Sequence, residues 1–359
     1  MNVKPIAGES PTPIIQVGLV GFGLSGKVFH APFIDNNPFI NLHSIVSTGK
    51  EAGSLYPNTR ILTNFQSLLD DPQIDLVVVC TPSAMHANHA KLAMQSGKHV
   101  VVEKPFAMSS AGVIEMMETA KITGKLLFPY HNRRWDGDFQ TLKHIIRVGY
   151  LGEVLEFESR FERFNPIIAR ASWRFDQPEG GGTLFDLGPH LIDQAICLFG
   201  SPQAVSCRLL NQRKGSKTND SFDLTLIYPQ LTARLKAGLM IRESGPRFMV
   251  HGSLGSFIKY GADPQEDQLR KGKKPQSRNF GVDPQKNVGL LNSVVNGMNF
   301  RGKYETIPGN YMGFYNDVTL AILNNKKQQV TVEDALLNLK IIEAAMKSHE
   351  EQRIVNFSM

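Results

Sequence analysis

At 359 residues the chain is long enough for two domains, and 42% hydrophobic, 9% aromatic and 20% charged residues allow it to fill its own cores. A single small module and a mainly disordered polypeptide are excluded, and apolar runs of about five residues, such as 76–80, fall far short of the roughly 18–20 that a bilayer span requires. The net charge of +6 is spread in ones and twos, apart from Arg270, Lys271, Lys273, Lys274 and Arg278. These lie among Gly, Pro, Gln and Ser, which reads as a solvated loop rather than a nucleic-acid site.

In chain order, Met1–Gln16 holds three prolines, a glycine and a glutamate but no apolar block. It therefore does not read as a secretory signal, and a cytoplasmic protein is expected. From 14 to 120 short β-branched runs alternate with amphipathic stretches, as in a parallel sheet with crossover helices. Strands are expected at 14–20, 42–46, 76–80, 100–102 and 126–128, and helices at 28–36, 64–69, 86–96 and 111–123, with Gly97 and Gly124 as stops.

After 131–138 the pattern changes. A helix at 139–149 leads to a half-exposed strand at 154–164, then strands at 204–210, 221–228, 233–241 and 248–252, with helices at 311–324 and 332–350. Thr331 followed by Asp334 is a capping-box signal for the last helix. The expected architecture is an α/β Rossmann domain over residues 1–134, followed by an α+β domain over 135–359 built on a large, open, mostly antiparallel sheet. One face of that sheet lacks covering helices, so a homodimer or homotetramer is expected. Cys80, Cys197 and Cys207 are odd in number and widely spaced, which suits reduced thiols, and no metal site is expected.

The first strand runs into Gly21-Phe22-Gly23-Leu24-Ser25-Gly26, a G-x-G-x-x-G pattern in the strand–turn–helix context that gives it meaning. Gly21 permits the tight turn, Gly23 lets a pyrophosphate approach the backbone, and Gly26 lets the helix pack on the sheet. The helix N-terminus supplies N–H groups to phosphate. No acidic residue stands about twenty positions later; the second strand ends in Ser47, Thr48 and Lys50, which suit a 2′-phosphate, so NADP is favoured over NAD. Glu51 lies close, and Lys50 facing water is the competing reading.

Glu103-Lys104-Pro105 ends another buried strand and delivers charge to the carboxyl edge of the sheet, where ligands bind. Between Leu184 and Phe199 nearly every position is apolar except Asp186, His190, Asp193 and Gln194; on one helix the first three fall within about 60° of arc. Ionisable groups in such a setting must pair or line a wet cleft. Pro189 interrupts the helix, so Asp186 is placed in the turn before it.

The ordered set Gly21–Gly26, Phe29-His30-Ala31-Pro32, Cys80-Thr81-Pro82-Ser83-Ala84-Met85-His86, Gly97-Lys98-His99-Val100, Glu103-Lys104-Pro105 and Gly180–Asp193 resembles the glucose–fructose oxidoreductase/inositol dehydrogenase (Gfo/Idh/MocA) family. Tyr130–Asp136, Val250–Ser253 and Lys259–Glu266 are similar, more narrowly, to its bacterial scyllo-inositol dehydrogenase branch. The resemblance implies an NAD(P)-dependent dehydrogenase acting on a cyclic polyol or sugar, with Lys104, Asp186 and His190 as its catalytic group. Phe22, Ser25, Thr81, Pro82, His86, Glu103 and Lys104 itself join the glycines as cofactor-binding candidates. Asn132, Arg133, Trp135, Asp136, Trp173 and Asp193 are substrate candidates, offering the donors, acceptors and aromatic surface that polyols need. A surface ion network is the other reading of Arg133, Arg134 and Asp136. A non-catalytic, sugar-responsive regulator of the same fold, or a dehydrogenase for another sugar or a dihydrodiol, stays open.

Overall fold

The computed structural model describes residues 14–168 and 180–357. Six strands, β1 (Ile15–Val20), β2 (Ile40–Val46), β3 (Arg60–Leu62), β4 (Leu76–Val79), β5 (His99–Val102) and β6 (Leu127–Pro129), form a sheet ordered 3-2-1-4-5-6 with every pair parallel. All four residues of β4 are buried, as a strand covered on both faces must be. The covering helices are α1 (Ala31–Asp35), entered through the helical turn Gly26–His30, then α2 (Glu51–Leu55), α3 (Phe65–Leu69), α4 (His86–Gln95) and α5 (Ser110–Thr123). Side chains of Asn64 and Ser109 accept N–H bonds at the starts of α3 and α5, and Gly97 and Gly124 follow α4 and α5 with positive φ, as helix stops do.

The second half contributes α6 (Gly137–Arg147), β7 (Val154–Glu162), α7 (Gly182–Asp186), α8 (Gly188–Phe199), β8 (Ala204–Leu210), β9 (Ser221–Ile227), β10 (Thr232–Gly238), β11 (Phe248–Gly252), β12 (Gly255–Lys259), α9 (Gln265–Arg270), β13 (Gly289–Val295), β14 (Met298–Tyr304), α10 (Met312–Asn324), α11 (Val332–Glu351) and β15 (Val355–Asn356). Nine strands order as 14-13-12-11-7-10-9-8-15, antiparallel except where β7 runs parallel to β10. The mostly antiparallel sheet is as anticipated, but β12, β13, β14 and the short β15 enlarge it beyond the expected strands. Helices α8 and α11 pack on one face, where Leu191, Ile192 and Ile342 share a core with Val205, Leu224 and Leu235. The opposite face carries ion pairs among Glu158, Arg160, Arg234, Lys236 and Asp223. The capping box of Thr331 and Asp334 is present at the start of α11.

Residues 184–199 are not one helix. The chain breaks at Leu187 between α7 and α8, and Pro189 falls in the first turn of α8, where a missing N–H costs nothing. Asp186 therefore sits at the end of α7, and the 60° stripe does not describe it. Among the described residues no helix is long and apolar enough to cross a membrane. Cys80, Cys197 and Cys207 are free thiols, and burial pushes that of Cys207 up to about 12.

The fold closes by returning to its beginning. Helix α10 leaves the large sheet and packs on the small one, its Phe314, Tyr315 and Val318 sharing a core with Val17, Leu19, Val78 and Phe33. The turns after β1, β4 and β5 meet at one edge, where the strand order reverses between β1 and β4. Open parallel sheets bind ligands at such a crevice.

Candidate active site

Three glycines shape the turn after β1, each differently. Gly21 has φ +94°, and a Cβ there would come 2.6 Å from the carbonyl oxygen of Cys80; a Cβ on Gly26 would lie 2.2 Å from that of Gly21. Gly23 instead faces open space, with nothing within 4 Å of a built Cβ. That opening is the room a dinucleotide pyrophosphate needs against a bare backbone, and the turn fits this group. Phe22 stands edge-on to Tyr56 at 6.0 Å. The His86 ring bridges the carbonyls of Thr81 and Pro105, each at 2.8 Å, and so ties the turn after β4 to the turn after β5.

At the end of β2, Ser47 is partly exposed and Thr48 and Lys50 are exposed. Glu51 is engaged by Lys27 at 2.8 Å, so the nearest carboxylate already has a cation.

A cleft of about 660 Å³ runs from this turn between the two halves. Lys104, Asp186 and His190 share its wall, together with Gly21, Ser25, Thr81, Pro82, Glu103, Asn132 and Arg133. The Lys104 Nζ lies 2.8 Å from Asp186 Oδ1 and donates to the Asp186 carbonyl at 2.6 Å. His190 is 7% exposed, and its Nδ1 has no hydrogen-bond partner among the described residues. Burial, reinforced by the charges of Lys104 and Arg133, holds its pKa well below 6.5. The imidazole is thus neutral near pH 7 and able to accept a proton.

Several expected substrate residues lie elsewhere. Trp135 is packed edge-on to Phe314 at 5.9 Å, in the core under α10, because the aromatic ring gains more from burial than from the wet cleft. Asp193 is 1% exposed and receives both Nε and Nη2 of Arg134, at 2.9 and 2.7 Å. A carboxylate saturated in this way is an internal ion pair, not a cleft ligand. Asp136, also 1% exposed, accepts from Tyr311 at 2.7 Å and backs Arg133 at 3.4 Å from beneath. Of the anticipated ion network, Arg133 and Asp136 pair, but buried rather than on the surface, while Arg134 belongs to a separate set with Asp193 and Asp334. Trp173 lies outside the described residues.

The cleft also takes in Tyr130, Arg163, Phe185, Glu266 and Arg270, which sequence reasoning did not assign to it. Glu266 accepts from Arg133 and from Arg270, the latter at 2.8 Å. Burial opposes its ionisation, yet these guanidinium groups hold it down to about 2. Arg270 had read as part of a solvated basic loop; its place at the end of α9 turns it toward Glu266. Only the run Lys259–Glu266 hinted at this region.

Comparison with known proteins agrees with this geometry. Residues 15–131 match the "Oxidoreductase family, NAD-binding Rossmann fold" description and 143–357 the "Oxidoreductase family, C-terminal alpha/beta domain" description. The scyllo-inositol 2-dehydrogenase (NADP(+)) IolW of Bacillus subtilis is 38% identical over 98% of each chain. The D-glucoside 3-dehydrogenase of Escherichia coli is 29% identical over 54% of this chain and 56% of its own. The structure of the Bacillus subtilis oxidoreductase yvaA superposes with a TM-score of 0.94 at 36% identity, covering 98% of this chain and 100% of that one. Fold and site together define an NAD(P)-dependent oxidoreductase. Its wall of Lys104, Asp186 and His190 faces the dinucleotide edge of the sheet. The chain belongs to the Gfo/Idh/MocA family.

Proposed function

We propose that the protein oxidises a ring secondary alcohol of a cyclic polyol or sugar, with scyllo-inositol and its 2-keto form as the leading substrate pair and NADP as the favoured cofactor. The observation that carries this reading is the Lys104–Asp186 ion pair on the same cleft wall as a neutral, buried His190. When bound, the nicotinamide supplies the acceptor for a hydride from the alcohol carbon. His190 takes the hydroxyl proton, while the ammonium of Lys104 favours alkoxide character on that oxygen and Asp186 orients the ammonium. Asn132 and Arg133 line the cleft where further ring hydroxyls need partners.

Gly21, Gly23 and Gly26 form the cofactor turn, flanked by Phe22, Ser25, Thr81, Pro82, His86 and Glu103. Ser47, Thr48 and Lys50 would receive a 2′-phosphate, a reading supported by the pairing of Glu51 with Lys27. The named activities of two relatives, one toward scyllo-inositol with NADP and one toward a D-glucoside, support a polyol or sugar. Incubating the purified protein with NADP or NAD and a panel of inositols, aldoses and dihydrodiols, while following absorbance at 340 nm, tests the proposal. The largest rise is expected with scyllo-inositol and NADP. Silence across the panel, with cofactor bound tightly, would instead identify a sugar-responsive regulator.

A further inference from the structure

One buried carboxylate gathers groups from three parts of the chain. Glu103 Oε1 accepts the Ser25 hydroxyl, which belongs to the glycine turn, and lies 3.0 Å from His30 Nε2. Its Oε2 accepts the backbone N–H of Lys104 at 2.8 Å. His30 is 0% exposed, lies against the Tyr130 ring at 4.1 Å, and places Nδ1 2.6 Å from the Tyr315 hydroxyl on α10. A carboxylate can only accept, so the His30 Nε2–H donates to Glu103, while Nδ1 shares a hydrogen bond with the Tyr315 hydroxyl. The imidazole therefore links α10 to Glu103.

Burial opposes a charge at Glu103, yet His30, Ser25 and Lys104 hold its pKa down to about 2. Ionised side chains buried in this manner add little net stability over apolar replacements, which leaves positioning as the reason for the arrangement. What Glu103 positions is specific. One oxygen holds the turn that faces the dinucleotide, and the other holds the backbone of the lysine that faces the alcohol.

We propose that His30 is a positioning residue: it orients Glu103, which joins the Gly21–Gly26 turn to Lys104, so that dinucleotide binding and placement of the ammonium are coupled. This rests on the role given to Lys104 above. Binding energy at the turn is then shared with the catalytic side, and the coupling is reciprocal.

Two measurements on the full-length protein test it: NADP affinity by calorimetric titration, and steady-state kcat and KM with a polyol substrate. Ser25→Ala and Glu103→Gln should each weaken NADP binding, and the double variant should be no weaker than the worse single, because both cut one link. Glu103→Gln and His30→Leu should lower kcat by about 10–100-fold with KM for the polyol nearly unchanged, the cost of a misplaced reacting group. His30→Gln, whose amide N–H can donate to Glu103, should recover most of kcat. Additive binding losses in the double variant, or a wild-type kcat in His30→Leu, would overturn the proposal. If His30→Leu does not fold, Tyr315→Phe removes only the hydroxyl that meets Nδ1 and should cost about fivefold in kcat, the worth of one hydrogen bond; no loss there overturns it equally. A wild-type protein inert toward polyols would defeat the substrate reading, while the binding cycle would still decide the Ser25–Glu103 link.

Discussion

Lys104 and Asp186 meet across the boundary between the two sheets, their Nζ and Oδ1 atoms 2.8 Å apart, with one residue delivered by β5 and the other by the end of α7. Neither half of the chain holds both members of the pair. Replacing Lys104 or His190 by Ala should reduce turnover by about 10²–10⁴-fold, the usual worth of an acid–base group, and leave dinucleotide affinity close to wild type. Steady-state kinetics paired with a binding titration check this. Near-normal rates in both variants would remove these residues from the chemistry.

The pH dependence follows from the burial of His190. Proton abstraction needs a neutral imidazole, and its pKa lies well below 6.5. Polyol oxidation should therefore keep its full kcat/KM as the pH falls through 6.5, and lose it only at more acid values, where His190 becomes protonated. An acid limb centred at 6.5 or above would show that the titrating base is not this buried ring.

The glycines of the first turn separate binding from folding. Gly23→Ala places a methyl in open space on the ligand side, so it should weaken NADP binding by about tenfold, equivalent to 1.4 kcal/mol, with the melting temperature unchanged. Gly26→Ala collides with the Gly21 carbonyl and should lower the melting temperature itself. Equal behaviour of the two variants would contradict this division.

Asp193 provides the control for a residue that reads as functional but is internal. Removing its carboxylate in Asp193→Ala strips Arg134 of a bidentate partner and should cost about 3–5 kcal/mol of stability, measured by chemical denaturation. Unchanged stability with a raised polyol KM would return Asp193 to the cleft.

Self-association is expected through the helix-free face of the large sheet, near whose edge Val294 is exposed. Light scattering should report a dimer or tetramer; a monomer would refute the expectation.

Five of the six strands of the small sheet were readable because both of its faces are covered: runs such as 76–79 are uniformly apolar and stand out from the helical stretches between them, whereas the short β3 was not expected. Strands β13 and β14 were not, because their exposed faces carry Asn292, Asn299, Arg301 and Lys303 and blur the alternation. Their one clear local signal is Asn296-Gly297, both with positive φ, joining Val295 to Met298 as a two-residue hairpin. At the site, Asp186 and His190 were legible as ionisable groups inside apolar context, while Lys104 was assigned through the family resemblance of Glu103-Lys104-Pro105. Asp193 carried the same signal and proved to be an ion-pair partner of Arg134. A buried charge does not disclose from sequence whether it faces a cleft or another charge, since its partner sits 59 residues away. Arg270 showed the reverse, reading as part of a solvated loop until α9 brought it to the cleft beside Glu266.

The return of α10 to the first sheet governs how the molecule can be divided. A fragment cut after residue 134 would retain the glycine turn but lose Trp135, Phe314 and Tyr315 from the layer that shields Val17, Leu19 and Val78. Such a piece would emerge with a raw oily flank and be prone to clump, so the nucleotide module cannot simply be lifted out as a stand-alone part.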